Sequence, residues 1–494
     1  MRLHVIEPQH AAFEVDTCVV VAAYDEAEPG FGSVVSERDR AALAKLHKRG
    51  ALSCKAEETH YLSTPDSAYG GVLVLGLGSP DEFDAEVMRR AAGNAGDVLK
   101  RERHGHVVFD ASSQDALPVE AFVEGVILGQ YDFRTYKKPE DDPAVTVQEI
   151  VVLASPDGDL EALRAGCART VLACQNANWA RDLANTPPND MTPRALAAAA
   201  QEMASQVGCS CTILDEKRMA ELGMNAILGV ARGSAEPPRL ILLEYKPDQY
   251  ERSVALVGKG VTFDTGGISL KSAPDMHEMK YDMCGAAAVL GAFKTIAQAK
   301  PHVRVVCAVP AAENRPGPTS YLPGDILTAY NGKTIEVHNT DAEGRLLLCD
   351  ALAYVEKEYA PDAIIDIATL TGATIVALGY VAAGLFSNND RLVDDLGLAS
   401  RATGERVWRM PLWADYAKLL KGTHADLCNI GPRGVAGSIT AACFLKEFVD
   451  HTPWAHIDIA ATAWDVKNIS YLDPKHATGF GVRLLSQWVL EDAK

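Results

Sequence analysis

Val254-Ala255-Leu256-Val257-Gly258-Lys259-Gly260-Val261-Thr262-Phe263-Asp264-Thr265-Gly266-Gly267 is the stretch on which the fold of this chain turns. Four apolar residues in a row read as a buried strand. The glycines after them permit tight turns and a close backbone approach to a ligand. Lys259 and Asp264 follow the strand directly. The segment contains neither G-x-G-x-x-G nor G-x-x-x-x-G-K-[ST], so it carries no nucleotide fingerprint. A phosphate loop of another kind, or a structural Lys–Asp ion pair, would explain it as well as a catalytic role.

The same alternation extends outward. Leu240–Leu243, Val303–Cys307 and Ala363–Ala368 read as further strands, with helices at Ala286–Ala299 and Arg345–Glu358. The N-terminal third repeats the pattern, with strands at Cys18–Ala22, Val72–Leu75, Val107–Phe109 and Ile150–Leu153 and helices at Asp84–Glu102 and Pro118–Gly129. Strands alternating with helices predict α/β sheets with parallel pairs. The turn-rich Ser155–Asp159 marks a boundary, and a helical pattern runs from Leu160 to Leu183. Pro187, Pro188 and Pro193 forbid its continuation. The chain thus divides into an N-terminal α/β domain (1–158), a helical linker (159–190) and a second domain (191–494).

Composition narrows the function. Lys plus Arg number 47 and Asp plus Glu 66, for a net charge of −19. That argues against a broad nucleic-acid footprint. The 11 cysteines are scattered with no C-x-x-C, which predicts a reducing compartment and no disulfide framework. Met1–Glu7 lacks the apolar core of a signal peptide, and the longest mostly apolar stretch, Ile375–Phe386, is too short for a membrane span. A soluble cytoplasmic protein with no membrane partner is expected.

A second segment, Asn339-Thr340-Asp341-Ala342-Glu343-Gly344-Arg345-Leu346, changes the balance. Alone it fits a helix start, because Thr340-x-x-Glu343 has capping-box spacing and Asp341 and Arg345 are spaced for a surface pair. Taken with the first segment, which reaches Lys271 and Asp282, it supplies four carboxylates: Asp264, Asp282, Asp341 and Glu343. Carboxylates in apolar surroundings need compensation. Two divalent cations would balance their charge, and Lys259 could join as a neutral ligand. Oxygen-dominated donors suit Mg, Mn, Co or Zn. Lys271 and Arg345 remain as cations, one to polarise a carbonyl and one to grip an anion. Other motifs fail: His277-Glu278 is followed by Tyr281 rather than the histidine of H-E-x-x-H, and no G-x-S-x-G exists. His424 and His456 read as structural.

The two segments resemble the signatures of the leucyl aminopeptidase (cytosol aminopeptidase) family. Glu278–Met283, Asn185–Pro193, Ala368–Ala373, Trp454–Ala460 and Ala477–Arg483 agree with it, from about residue 180 to the end. The resemblance implies two α/β domains, the larger C-terminal one with a mixed central sheet flanked by helices. It implies a homohexamer with two divalent ions per subunit, Mn or Zn. Asp264, Asp341 and Glu343 would hold one ion; Lys259, Asp264, Asp282 and Glu343 would hold the other. One ion would take the free amine of a peptide substrate. The other would polarise the scissile carbonyl with help from Lys271, and Arg345 would hold a bicarbonate acting as general base. Met279, Thr369, Leu370 and Gly372 would line the pocket for the first side chain, with a preference for Leu-like residues. Two rivals are another two-metal hydrolase, such as a phosphoesterase, and a DNA-binding or regulatory protein on the same scaffold. The first would normally recruit histidine ligands; the second sits poorly with the charge.

Overall fold

The computed structural model describes residues 1–112, 117–139, 143–155 and 158–491. Pro156 and Asp157, in the turn-rich boundary, lie outside the described residues. The chain forms two compact units, one of Met1–Gln175 with Lys467–Asp473, the other of Asn176–Val466 with Pro474–Lys494. The division falls within one helix, Leu160–Asn185. That helix stops where the prolines begin, and the next, Pro193–Val207, starts on Pro193 with Thr192 accepting from the Ala195 N–H. Proline is tolerated at a first helical position because its missing N–H has no intrahelical partner to lose.

In the first unit the described strands are β1 (Arg2–Ile6), β2 (Thr17–Ala23), β3 (Thr59–Ser63), β4 (Gly71–Gly76), β5 (His106–Asp110) and β6 (Glu149–Leu153). They pair in the order β1-β6-β5-β2-β4-β3. All pairs are parallel except β3 with β4 at one edge. β2 and β4 are buried along their whole length, as their unbroken apolar runs require.

The second unit holds a larger mixed sheet. Its strands are β7 (Ser210–Leu214), β8 (Arg239–Tyr245), β9 (Arg252–Gly258), β10 (Gly260–Asp264) and β11 (Val303–Asn314). After them, β12 (Ile326–Thr328), β13 (Thr334–Glu336) and β17 (Leu427–Cys428) form a small separate sheet. The large sheet is completed by β14 (Ala363–Ala368), β15 (Ala383–Ser387), β16 (Val407–Arg409) and β18 (Trp454–Asp458). Its order is β16-β15-β18-β14-β9-β11-β8-β7, with β10 also paired to β11.

Five of these strands, β10, β11, β9, β14 and β18, run parallel. Their carboxyl ends deliver Asp264, Asn314, Lys259, Thr369 and Asp458 to one edge of the sheet. Ligands in open α/β sheets bind outside such strand ends. The helices Cys284–Ala299 and Gly344–Tyr359 are mostly buried and pack against this sheet. Gly258 is forced: a Cβ there would lie 2.4 Å from the Gly285 carbonyl oxygen and 2.8 Å from Ala286 Cα. Among the described residues no helix is long and apolar enough to cross a membrane.

Candidate active site

The glycine-flanked segment is a strand ending in a sharp turn. β10 begins two residues after β9 ends, so Lys259 is the single residue between them. Gly266 and Gly267 then take φ of 85° and 67°, a left-handed pair that side chains disfavour. Asp264 is fixed at this turn, its Oδ1 accepting from the Gly266 N–H and Asn314 Nδ2, both at 2.8 Å.

The second segment does not make the capping box that its spacing allows. Glu343 stands at the N-cap of helix Gly344–Tyr359 with helical dihedrals and no side-chain cap bond. Thr340 instead braces the glycine turn: Oγ1 donates to the Gly266 carbonyl at 2.6 Å and accepts from the Ser269 N–H at 2.8 Å. Tyr321 donates its hydroxyl to the Thr340 carbonyl at 2.7 Å. Nor does Asp341 face Arg345. Asp341 pairs with Lys271, while Arg345 Nη1 donates to the Asn429 carbonyl at 2.7 Å.

The two segments meet. Lys259 Nζ lies 2.7 Å from Asp282 Oδ1, 2.9 Å from Glu343 Oε1 and 2.8 Å from the Thr369 carbonyl oxygen. Lys271 Nζ lies 2.8 Å from Asp264 Oδ2 as well as against Asp341. Carboxylate oxygens of Asp264, Asp341 and Glu343 fall within 4.8 Å of one another. All but Asp341 of the four carboxylates are buried, as is Lys259. Asp282 Oδ1 also accepts from Thr369 Oγ1 at 2.8 Å, yet Asp282 Oδ2 and Glu343 Oε2 are buried with no hydrogen-bond partner among the described residues.

The electrostatics follow from this crowding. Two lysines balance only half the charge of four carboxylates. Burial, reinforced by Glu343, raises the Asp264 carboxyl to about 7, and burial with the same neighbour holds Asp282 well above the usual carboxylate range. Burial opposes the Lys259 ammonium, but Asp282, Glu343 and Asp264 outweigh it and hold its pKa up. Asp264 and its companions do the same for Lys271. Burial pulls the Arg345 guanidinium down to about 10, and its Nε is buried without a partner.

Around this centre, Met279 is half-buried on the 3-10 segment Met276–Met283. Thr369 and Leu370 follow β14, and Gly372 opens helix Gly372–Leu378 at an exposed position. Asp458 organises this turn, accepting from the Leu370 N–H at 3.1 Å and from the Thr371 and Thr374 hydroxyls at 2.6 and 2.7 Å. A cleft of about 900 Å³ opens beside Arg345, walled by Ser269, Asn339, Val376 and the 430–440 segment. Asn314, Asn429 and Asp458 carry no motif that marks them in the sequence. Each braces a functional residue from a distant strand, and no spacing signals it. His456 is buried, its Nδ1 2.5 Å from Asp366 Oδ1, while Asp366 Oδ2 accepts from Trp454 Nε1 at 2.7 Å.

The donors fit divalent cations: hard oxygens, a lysine within reach, and two buried carboxylate oxygens, Asp282 Oδ2 and Glu343 Oε2, that nothing among the described residues satisfies. Comparison with known proteins agrees. Residues 178–486 match the model for the catalytic domain of the cytosol aminopeptidase family, and residues 19–140 match its N-terminal domain. A probable cytosol aminopeptidase of Solibacter usitatus is 46% identical over 451 residues, covering 90% of this chain and 92% of its own. One from Dechloromonas aromatica is 40% identical over 489 residues, with 96% of each covered. The bottromycin maturation enzyme BotP, solved in complex with Mn, superposes with a TM-score of 0.84 at 33% identity, over 97% of this chain and 99% of its own. The chain belongs to the cytosol aminopeptidase family, and is a metal-dependent aminopeptidase.

Proposed function

We propose that the enzyme hydrolyses the N-terminal peptide bond of peptides, with a preference for Leu-like first residues, using a water activated between two divalent ions. The observation that carries this is the pair of unsatisfied buried oxygens, Asp282 Oδ2 and Glu343 Oε2, in a site whose four carboxylates outnumber its two lysines. Asp264, Asp341 and Glu343 would hold one ion, and Lys259, Asp264, Asp282 and Glu343 the other. When bound, the ions supply a seat for the substrate's free amine, activation of a water and polarisation of the scissile carbonyl.

The protein's own groups do the rest. The Lys259 amine must lose its proton to join a ligand set, so loading the site expels a proton that the carboxylates otherwise retain. Lys271 Nζ, which pairs with Asp264 and Asp341, would be free to donate to the oxygen that gains charge in the transition state once those carboxylates served as ligands. Arg345, braced by Asn429 and with Nε unpaired, has a two-pronged face for a bicarbonate able to accept the water's proton. Thr369 is tied to Asp282, and with Met279, Leu370 and Gly372 it would wall the pocket for the first side chain.

Manganese is the first ion to try, since the BotP structure contains it, with zinc as the alternative. The proposed assembly is a homohexamer, supported by family membership. A cytoplasmic setting is supported by the eleven cysteines, none of them in a disulfide. Hydrolysis of leucine p-nitroanilide tests the proposal. Activity should disappear on chelation and return with Mn or Zn. Folded, metal-loaded protein that leaves the substrate untouched would overturn it.

A further inference from the structure

Away from the four carboxylates, the small sheet of β12, β13 and β17 brings together a glutamate, a histidine and a cysteine. Glu336 ends β13 and Cys428 ends β17, and the two are register partners across the parallel pair. His338 follows two residues after Glu336. Its backbone N–H is held by Asn429 Oδ1 at 2.8 Å. The functional atoms converge: His338 Nε2 is 3.1 Å from Glu336 Oε2, Cys428 Sγ is 3.6 Å from the same oxygen, and Sγ is 3.8 Å from His338 Nε2.

Two chemistries use these residue types. A nucleophilic triad needs the histidine to face the carboxylate with one ring nitrogen and the thiol with the other. Here Nε2 alone faces both, which rules out that relay. A cation site needs the reverse, three donor atoms aimed at one point. A tetrahedral zinc ion lies at about 2.3 Å from sulfur and about 2.0–2.1 Å from nitrogen and oxygen. Those bonds set the sulfur about 3.5 Å from each of the other donors, and nitrogen about 3.3 Å from oxygen. The observed triangle departs from this by only a few tenths of an ångström.

The surroundings suit the same occupant. The second oxygen of Glu336 accepts from the His424 and Ala425 backbone N–H groups. These bonds fix the carboxylate, so its ligating oxygen is oriented, as metal-bound carboxylates usually are. The Glu336 and Cys428 side chains are buried, whereas the His338 side chain is 49% exposed, which leaves an open face for entry and for a fourth ligand.

We propose that Glu336, His338 and Cys428 form a third metal site, separate from the carboxylate centre, that takes a thiophilic divalent ion of the zinc class. The sulfur and imidazole select against Mg and Mn, which favour oxygen donors. The ion replaces the thiol proton, which leaves to solvent. Because Asn429 adjoins Cys428 and its carbonyl accepts from Arg345, the ion fastens the strand end that holds Arg345.

The test uses the full chain, stripped of metal, reloaded with Mn(II) and titrated with Co(II). Thiolate ligation gives cobalt an intense near-ultraviolet charge-transfer band that oxygen ligands do not. The band should saturate at one equivalent per subunit. It should be absent in Cys428→Ser, and His338→Ala should bind about tenfold or more weakly. In parallel, zinc-saturated wild type should retain one more ion per subunit than Cys428→Ser. His338→Ala, altered at an exposed side chain, separates loss of the site from misfolding. No band in the wild type, a band unchanged in Cys428→Ser, or equal zinc content in both would overturn the site.

Discussion

Gly344→Ala isolates Lys259 without changing any charge. Gly344 is the first residue of its helix, and a Cβ built there lies 2.5 Å from Lys259 Cε, 2.7 Å from Nζ and 2.8 Å from Cδ. Non-bonded atoms settle at about 3.5–4.0 Å, so the lysine tip must retreat by about 1 Å. It has nowhere equivalent to go, because Nζ is held by Asp282, Glu343 and the Thr369 carbonyl in a buried site. The backbone tolerates the change: alanine gains up to about 1 kcal/mol in helix propensity over glycine. That offsets much of the stretching of charge-assisted bonds worth about 1.5–3 kcal/mol each. Thermal stability of the metal-free protein should therefore move little. The metal site should not survive, since the displaced amine no longer reaches a ligand position. Tight manganese content after dialysis should fall from two ions per subunit to one, and turnover of leucine p-nitroanilide by about 100-fold or more. Two tightly held ions and unchanged turnover in Gly344→Ala would refute the argument and remove Lys259 from the ligand set.

Other outcomes follow from the same geometry. Metal uptake should release protons, and affinity should rise with pH between about 6 and 8, because the Asp264 carboxyl is raised to about 7 and Lys259 is held protonated in the free site; calorimetry in buffers of different ionisation enthalpy reads the protons. The sign for stability is opposite: a carboxyl raised from 3.8 to about 7 favours the folded state below its unfolded value and loses that contribution as pH rises through 7. Chelated protein should accordingly lose melting temperature between about pH 4 and 7 relative to loaded protein, and parallel curves would contradict this. Glu343→Gln should lose bound metal and activity together; full activity would sink the two-ion assignment. Lys271→Ala should keep its metal and lose most turnover, and unchanged turnover would take Lys271 out of the mechanism. Arg345→Ala should be milder, since water is able to replace the anion; complete loss of bound metal would point to a structural role.

Much of this was legible before the fold was known, for identifiable reasons. The parallel strands are buried on both faces, so β2, β4 and β9 appear as apolar runs, and only Asp366 interrupts the run of β14. Charged residues directly after such runs mark a strand-end site, which is how Lys259 and Asp264 stand out. Local spacing misled where a better partner lay far away. Thr340 and Glu343 have capping-box spacing, but Thr340 bonds the turn at Gly266, 74 residues earlier. β10 is hidden because its glycine and two polar residues break the apolar pattern that β9 shows so plainly. Asn314 is separated by 50 residues from the carboxylate it orients, and Cys428 by 92 from Glu336. Contacts of that range exist only once the sheet has formed.

The central claim, two divalent ions held by Asp264, Asp282, Asp341, Glu343 and Lys259, is tested most directly by anomalous diffraction from crystals of the manganese-loaded enzyme. Two peaks per subunit are expected, both within bonding distance of Asp264 and Glu343. A single peak there, or peaks only at other residues, would contradict the account.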